Sequence, residues 1–280
     1  YWPSRSDPVP GLNVMANISL SSDLSEVRGV KAEGVGLYRT EFEFMASRGL
    51  LDEDEQYEHY AAVLKAMDGA PVYFRLADLG GDKPLPFLEL PKEENPYLGC
   101  RGSRLLLGHP DLLRTQARAL ARASVHGPVH VMYPMVVDLE QFLKLKSAFQ
   151  DATRDISAGE IKHGVMFEVP SACMQAREIL DVADFGSIGS NDLIQYLFAV
   201  DRNNELVAGD YRPDRPVFWT LVRQIVEAAK SAGKDLSLCG ELAGDSMYIP
   251  KLVDAGVTRI SVSPRLVGGV RRAAKAFFDE

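Results

Sequence analysis

Short apolar runs alternate with longer stretches that carry apolar residues at helical spacing, and the alternation recurs from one end of the chain to the other. The runs predict strands over residues 12–20, 35–39, 71–77, 129–135, 164–168, 184–189, 236–239 and 259–262. Helical spacing covers 21–32, 52–67, 103–125, 139–149, 171–182, a turn through 193–196, then 216–232, 247–255 and 266–278. Capping chemistry agrees with two of these starts. Ser22 and Asp23 open the first helix, and Asp52, Glu53, Asp54 and Glu55 open the second with carboxylates where the helix dipole favours them. That acidic run therefore reads as a helix start and not as a binding site.

Strand followed by helix, eight times over, is the pattern of a parallel α/β fold, and closure into a (βα)8 TIM barrel uses every unit. A doubly wound open sheet also fits the alternation, but no GxGxxG or GxxxxGK[ST] motif follows the first strand. One barrel domain over residues 1–280 is the expected architecture. The connection 78–99, with its glycine pair and four prolines, is long for a structureless loop and reads as a functional segment or lid.

A parallel barrel gathers its chemistry at the carboxyl ends of its strands. Those ends are Arg39-Thr40-Glu41, Arg75 with Asp78 beyond it, Glu168, Asn191-Asp192 and Cys239-Gly240-Glu241. Glu168 and Asp192 offer hard oxygens and leave most coordination positions open, as Mg²⁺ prefers when water and substrate complete its shell. Arg39, Arg75 and Arg202 carry planar forks suited to phosphate or carboxylate. The ligand so described is small, multiply anionic and metal-bound. Each group also has a plainer use: Asn191 or Asp192 as a helix cap, the arginines as partners of nearby carboxylates, Cys239 as buried filling.

Composition narrows the class of partner. The 280 residues carry a formal charge of −8, which argues against a general nucleic-acid or acidic-membrane binder, since counterion release rewards a basic face. Any cationic site must be local. Three cysteines, Cys100, Cys173 and Cys239, form no CxxC pair and read as free thiols in a reducing compartment. No apolar run approaches the roughly 20 residues of a membrane span and no signal peptide opens the chain, so the cytoplasm is the expected location. The chain begins at Tyr1, and a domain cut from a longer protein is expected.

Five stretches carry a family resemblance: Gly34-Val35-Gly36-Leu37-Tyr38-Arg39-Thr40-Glu41-Phe42, Gly80-Gly81-Asp82-Lys83, Glu94-Asn95-Pro96-Tyr97-Leu98-Gly99, Gly189-Ser190-Asn191-Asp192-Leu193-Ile194-Gln195-Tyr196, and Leu238-Cys239-Gly240-Glu241-Leu242-Ala243-Gly244-Asp245. Together they resemble the phosphoenolpyruvate-binding domain of Enzyme I, the phosphoenolpyruvate–protein phosphotransferase of the bacterial sugar phosphotransferase system. Pyruvate phosphate dikinase and phosphoenolpyruvate synthase are similar more loosely. The resemblance implies that Glu168 and Asp192 hold Mg²⁺, and that Arg39, Arg75, Asn191, Asp192 and Arg202 grip phosphoenolpyruvate. It also implies that Lys83, Arg101 and Gly240 line the same pocket and that Cys239 protonates the enolate carbon. Cys100 departs from the family pattern, which commonly has Trp there. The implied partners are phosphoenolpyruvate and pyruvate, a phospho-histidine domain on the amino-terminal side, a downstream phosphocarrier protein and a second copy in a homodimer. None of His59, His109, His126, His130 or His163 stands in the family's Gly-rich, Ser-His context, so the phosphoryl acceptor is expected outside this chain. Two other classes fit the same residues: a metal-dependent pyruvate lyase or aldolase, and a non-catalytic phosphoenolpyruvate-sensing dimerisation module.

Overall fold

Residues buried on both faces make parallel strands read as continuous apolar runs, and the computed structural model, which describes residues 6–47, 49–81, 88 and 90–279, forms its strands from such runs. Lys83, expected in the site, lies outside the described residues. The strands are β1 Asn13–Ile18, β2 Val35–Arg39, β3 Val72–Arg75, β4 Val129–Tyr133, β5 Ile161–Phe167, β6 Phe185–Gly189, β7 Asp235–Cys239 and β8 Arg259–Val262. They pair in sequence order, all parallel, and β8 returns to β1 with Val14 opposite Ile260, closing the barrel.

The helices are α1 Leu24–Gly29, α2 Glu41–Ser47, α3 Glu53–Met67, α4 Ser103–Gly108, α5 Pro110–Ala123, α6 Leu139–Thr153, α7 Pro170–Met174 and α8 Ala176–Val182. They continue with α9 Ser190–Leu197, α10 Pro216–Ala232, α11 Glu241–Gly244, α12 Ile249–Asp254 and α13 Val267–Phe278. No helix among the described residues is long and apolar enough to cross a membrane.

Several boundaries differ from the sequence pattern for identifiable reasons. The helix expected over 103–125 is two, because Pro110 cannot continue a helix from the preceding turn and instead opens α5 at its first position. The helix expected over 171–182 likewise breaks at Gln175. α2 and α11 carry no apolar period; each begins with a glutamate right after a strand and is held by what it packs against.

Strand alternation divides the interior into two layers. Val14, Ala16, Phe74, Val131, Val165, Ile188, Leu238 and Ile260 face outward and pack with the helices in the main core. Met15, Leu37, Tyr73, Met132, Met166, Phe185 and Cys239 form a second cluster that fills the barrel itself, as a closed eight-stranded barrel requires. Cys239 is the member of this inner cluster at the carboxyl end of its strand, so the floor of the barrel mouth is apolar and carries one thiol.

Candidate active site

The carboxyl ends of the strands open into one cavity of about 590 Å³. Arg39, Arg75, Arg101, Glu168, Asn191, Asp192, Arg202, Cys239 and Gly240 all line it, so every expected site residue within the described set reaches a common mouth.

β6 and its following helix supply the centre. α9 begins at Ser190 with no side-chain cap on its first turn, and Asp192 sits within that turn, so neither Asn191 nor Asp192 serves as the cap. Asp192 is instead turned to the arginines: its Oδ1 accepts from Arg101 Nη1 at 2.9 Å, with Arg202 Nη1 at 3.5 Å. Asn191 ties the site to the next strand, its Oδ1 accepting the Glu241 backbone N–H at 2.9 Å and its carbonyl the Tyr211 hydroxyl at 3.1 Å. Two glycines make room. A Cβ on Gly189 would stand 2.6 Å from the Glu168 carboxyl, and Gly240, at φ +108, approaches Ser190 so closely that a Cβ would fall 2.2 Å from its hydroxyl. Only a residue without a side chain serves at either point.

Glu168 follows β5 and is buried, its Oε2 accepting the Met135 backbone N–H at 2.8 Å. Burial first, and the neighbouring Asp192 second, push its carboxyl up to about 7. Arg75 and Arg101 act against that rise without cancelling it. No cluster of three or more His, Cys, Asp or Glu side chains suited to a metal occurs among the described residues. A cation here would take two protein oxygens and complete its shell from water and ligand, a donor set that fits Mg²⁺ and not zinc.

Arg75 and Arg101 are held by acids, and Arg39 by a hydroxyl and a ring. Arg75, buried, bonds Glu41 through Nη2 and has Asp78 Oδ2 3.5 Å from Nη1. Burial alone pulls its pKa down, but Glu41 and Asp78 outweigh that and raise it. Arg101 is pulled the same two ways, down by burial and up by Asp78 and Asp192, and ends raised. Arg39, where burial dominates and Arg75 adds repulsion, ends lowered. Its Nη2 donates to Ser19 Oγ at 2.6 Å and its guanidinium lies over the Phe42 ring. These partners keep the guanidinium groups desolvated and oriented before any anion arrives, which is how preorganised charge acts most strongly.

Cys239 lies at the cavity floor. Its Sγ receives the Ser187 hydroxyl at 3.9 Å and stands 3.6 Å from the Ile188 carbonyl. Burial, then Glu168, push the thiol up to about 11, so at neutral pH it carries its proton.

The sequence pattern did not single out Asp78 as Arg101's partner, nor Tyr196, whose hydroxyl accepts from Arg101 Nη1 at 3.1 Å, nor Ser19 beneath Arg39. Ser19 and Asp78 stand within a few residues past a strand end and Tyr196 two turns into α9, positions at which polar side chains are the available signal. The five histidines stand elsewhere and none lines the cavity: His130 and His163 lie within β4 and β5, His59 on α3, His109 before α5 and His126 in the turn after it.

A family model described as the PEP-binding domain of PEP-utilising enzymes matches residues 2–277. The chain belongs to that family. Among its relatives, the phosphoenolpyruvate-protein phosphotransferase of Streptococcus equinus is 45% identical over 256 residues, spanning 89% of this chain and 44% of that protein. The phosphoenolpyruvate-protein phosphotransferase of Staphylococcus carnosus is 42% identical over 271 residues, spanning 95% and 47%. The chain thus spans about half the length of the curated relatives it matches. An HpcH/Hpal aldolase/citrate lyase family protein from Burkholderia cenocepacia shares the barrel at a TM-score of 0.55 and 15% identity, over 96% of this chain and 94% of that one. A citrate lyase from Burkholderia xenovorans gives 0.51 at 14%, over 78% and 63%. Likeness at that identity is one of fold. The PEP-utilising family assignment rests on the sequence relatives and on the family match.

Proposed function

We propose that this chain binds phosphoenolpyruvate in the barrel-mouth cavity and serves the phosphoryl-donating half of a phosphoenolpyruvate–protein phosphotransferase. The acceptor histidine lies outside the chain. The observation that carries this reading is the convergence of Arg39, Arg75, Arg101 and Arg202 with Glu168, Asp192 and the protonated thiol of Cys239 on a single 590 Å³ cavity. Membership in the PEP-utilising family and the names of the relatives support it.

Glu168 and Asp192 would hold Mg²⁺, which when bound neutralises phosphate and carboxylate oxygens of the ligand. Arg39, Arg75, Arg101 and Arg202, with Asn191, bind the trianion and fix its orientation; phosphoryl transfer asks for little beyond positioning and charge neutralisation. During transfer, the bond between phosphorus and the enol oxygen breaks as a bond to the acceptor nitrogen forms, leaving pyruvate enolate. Cys239 gives its proton to the enolate carbon: an S–H bond breaks, a C–H bond forms, and a thiolate remains until water reprotonates it. A thiol raised to about 11 is loaded with that proton at neutrality, while Arg75 and Arg39 nearby favour the thiolate once the proton has left.

The reverse proton transfer needs no acceptor histidine and tests the reading on the chain itself. With Mg²⁺ and pyruvate in heavy water, the methyl hydrogens should exchange, and Cys239→Ala should lower that rate by at least about 100-fold while phosphoenolpyruvate binding by calorimetry stays within about threefold. Unchanged exchange in the variant would falsify the role of Cys239. Carbon–carbon cleavage of larger keto acids, in place of exchange, would favour a lyase.

A further inference from the structure

Tyr97 does not line the cavity, yet two of the cavity's arginines are arranged around it. Both guanidinium groups lie near its ring, with the Arg101 guanidinium carbon 5.8 Å and the Arg202 guanidinium carbon 5.9 Å from the ring centre. Both arginines converge on the same atom, Asp192 Oδ1, at 2.9 and 3.5 Å.

Tyr97 is fixed at both ends. Its carbonyl accepts the Tyr196 hydroxyl at 2.5 Å, and that hydroxyl accepts in turn from Arg101 Nη1. At the far end of the side chain, the Tyr97 hydroxyl accepts from Asn203 Nδ2, the residue after Arg202. The loop that carries Tyr97 and Arg101 follows β3, whereas Tyr196, Arg202 and Asn203 follow β6, and Tyr97 is a point where contacts to both guanidinium groups and to both loops meet. Arginine side chains have many rotamers, and a rigid group that both touch limits the arrangements open to the pair. An aromatic ring gives that rigidity along with a face attractive to cations.

We propose that Tyr97 is a positioning residue that sets the orientation of Arg101 and Arg202 for a multiply anionic ligand, its ring acting as the surface that the two guanidinium groups share and its hydroxyl as the tie to Asn203. The proposal rests on the reading of the cavity as the phosphoenolpyruvate site. It goes further in assigning ligand fit to a residue outside the cavity lining.

The test is binding of phosphoenolpyruvate with Mg²⁺ to the chain as it stands, measured by calorimetry, alongside pyruvate hydrogen exchange. Tyr97→Ala, which removes ring and hydroxyl, is expected to weaken binding about 10-fold and to raise the KM for pyruvate in exchange while kcat stays within about threefold. Tyr97→Phe, which keeps the ring, should recover most of that loss, and Asn203→Ala should match Tyr97→Phe. A Tyr97→Ala protein that folds and binds as the parent does overturns the proposal, as does a Tyr97→Phe loss equal to that of Tyr97→Ala. Should Tyr97→Ala fail to fold, equal binding by Tyr97→Phe, Asn203→Ala and a Tyr97→Leu protein overturns it, while loss confined to Tyr97→Leu supports it. A parent chain that binds no phosphoenolpyruvate overturns the reading of the cavity and this inference with it; a parent that binds while the variants bind equally well overturns the inference alone.

Discussion

Asp192 shows how one residue's meaning depends on what reaches it from far along the chain. As a residue it offers a carboxylate two positions into a helix, where the ordinary uses are a cap or a dipole partner. In the structure it is buried against Arg101, ninety-one positions away in sequence, and it is the second cause of Glu168's raised pKa. Replacing it with alanine removes a proposed cation ligand and leaves Arg101 with Asp78 as its remaining carboxylate among those described. Mg²⁺-dependent phosphoenolpyruvate binding should weaken by at least about 100-fold, beyond the cost of losing an outer partner of a metal site. Titration with Mn²⁺ as a spectroscopic substitute checks this, and affinity equal to the parent's rules out Asp192 as a ligand. Arg39, Arg75, Glu168 and Cys239 were all legible as candidates because each stands at or just beyond a strand end, whereas Arg202 lies past α9 and was legible by its planar fork and by the family resemblance. Tyr97 was legible only as part of a motif, since nothing local tells that its ring sits beside two guanidinium groups.

At the scale of elements, the strands were the most readable part. β2 and β8 have the bounds expected from their apolar runs, because parallel strands buried on both faces leave an unbroken signal. The helix α10 was equally plain, with Pro216 at its first position and Gly233 in the left-handed conformation just past its end. α3 starts with a full reciprocal cap: Asp52 Oδ1 accepts the Glu55 N–H at 2.9 Å and Glu55 Oε2 accepts the Asp52 N–H at 2.8 Å. Asp52→Ala should therefore cost about 1 kcal/mol of stability, read by urea denaturation, and leave ligand binding unchanged because neither partner lines the site cavity. A loss of ligand affinity in that variant would show that α3 communicates with the mouth. α2 was missed for a reason that matters to function. Its residues show no helical period, yet Glu41 is fully buried holding Arg75, and Glu43 accepts from the Tyr38 hydroxyl and the Ser21 N–H.

For the whole molecule, buried titratable groups make stability depend on pH in a way that no single residue shows. His130 and His163 are buried, and burial first, followed by Lys162 for one and Lys146 for the other, draws both down to about 4. The unfolded chain, with histidines near 6.5, binds more protons between about pH 4 and 6.5, so stability rises with pH across that window and is lost as pH falls through it. Each contributes roughly 3 kcal/mol at most. Glu168, with its folded value raised to about 7, acts in the opposite sense: the folded state binds the extra proton, and its contribution is present below about 4.5 and lost as pH rises toward 7. Two groups oppose one, so unfolding by urea at pH 5 and 7 should show the protein weaker at pH 5. His163→Gln should flatten the dependence and Glu168→Gln should steepen it. A variant pair with identical slopes would show that these groups are not buried as described.

The sequence by itself determined the fold class, because the period of burial is a local property that each run of residues carries whatever its neighbours do. It also determined which residues were available at strand ends, and through five motifs the family to which they belong. Only the tertiary structure decided who meets whom. Arg101 and Asp192, Tyr97 and Arg202, or Asn191 and the backbone of Glu241 are brought together by the closure of the barrel, and a contact made across β3 and β6 leaves no trace in the period of either. The physical reason is that burial is written along the chain one residue at a time, whereas electrostatic pairing in a cavity depends on the distance across it.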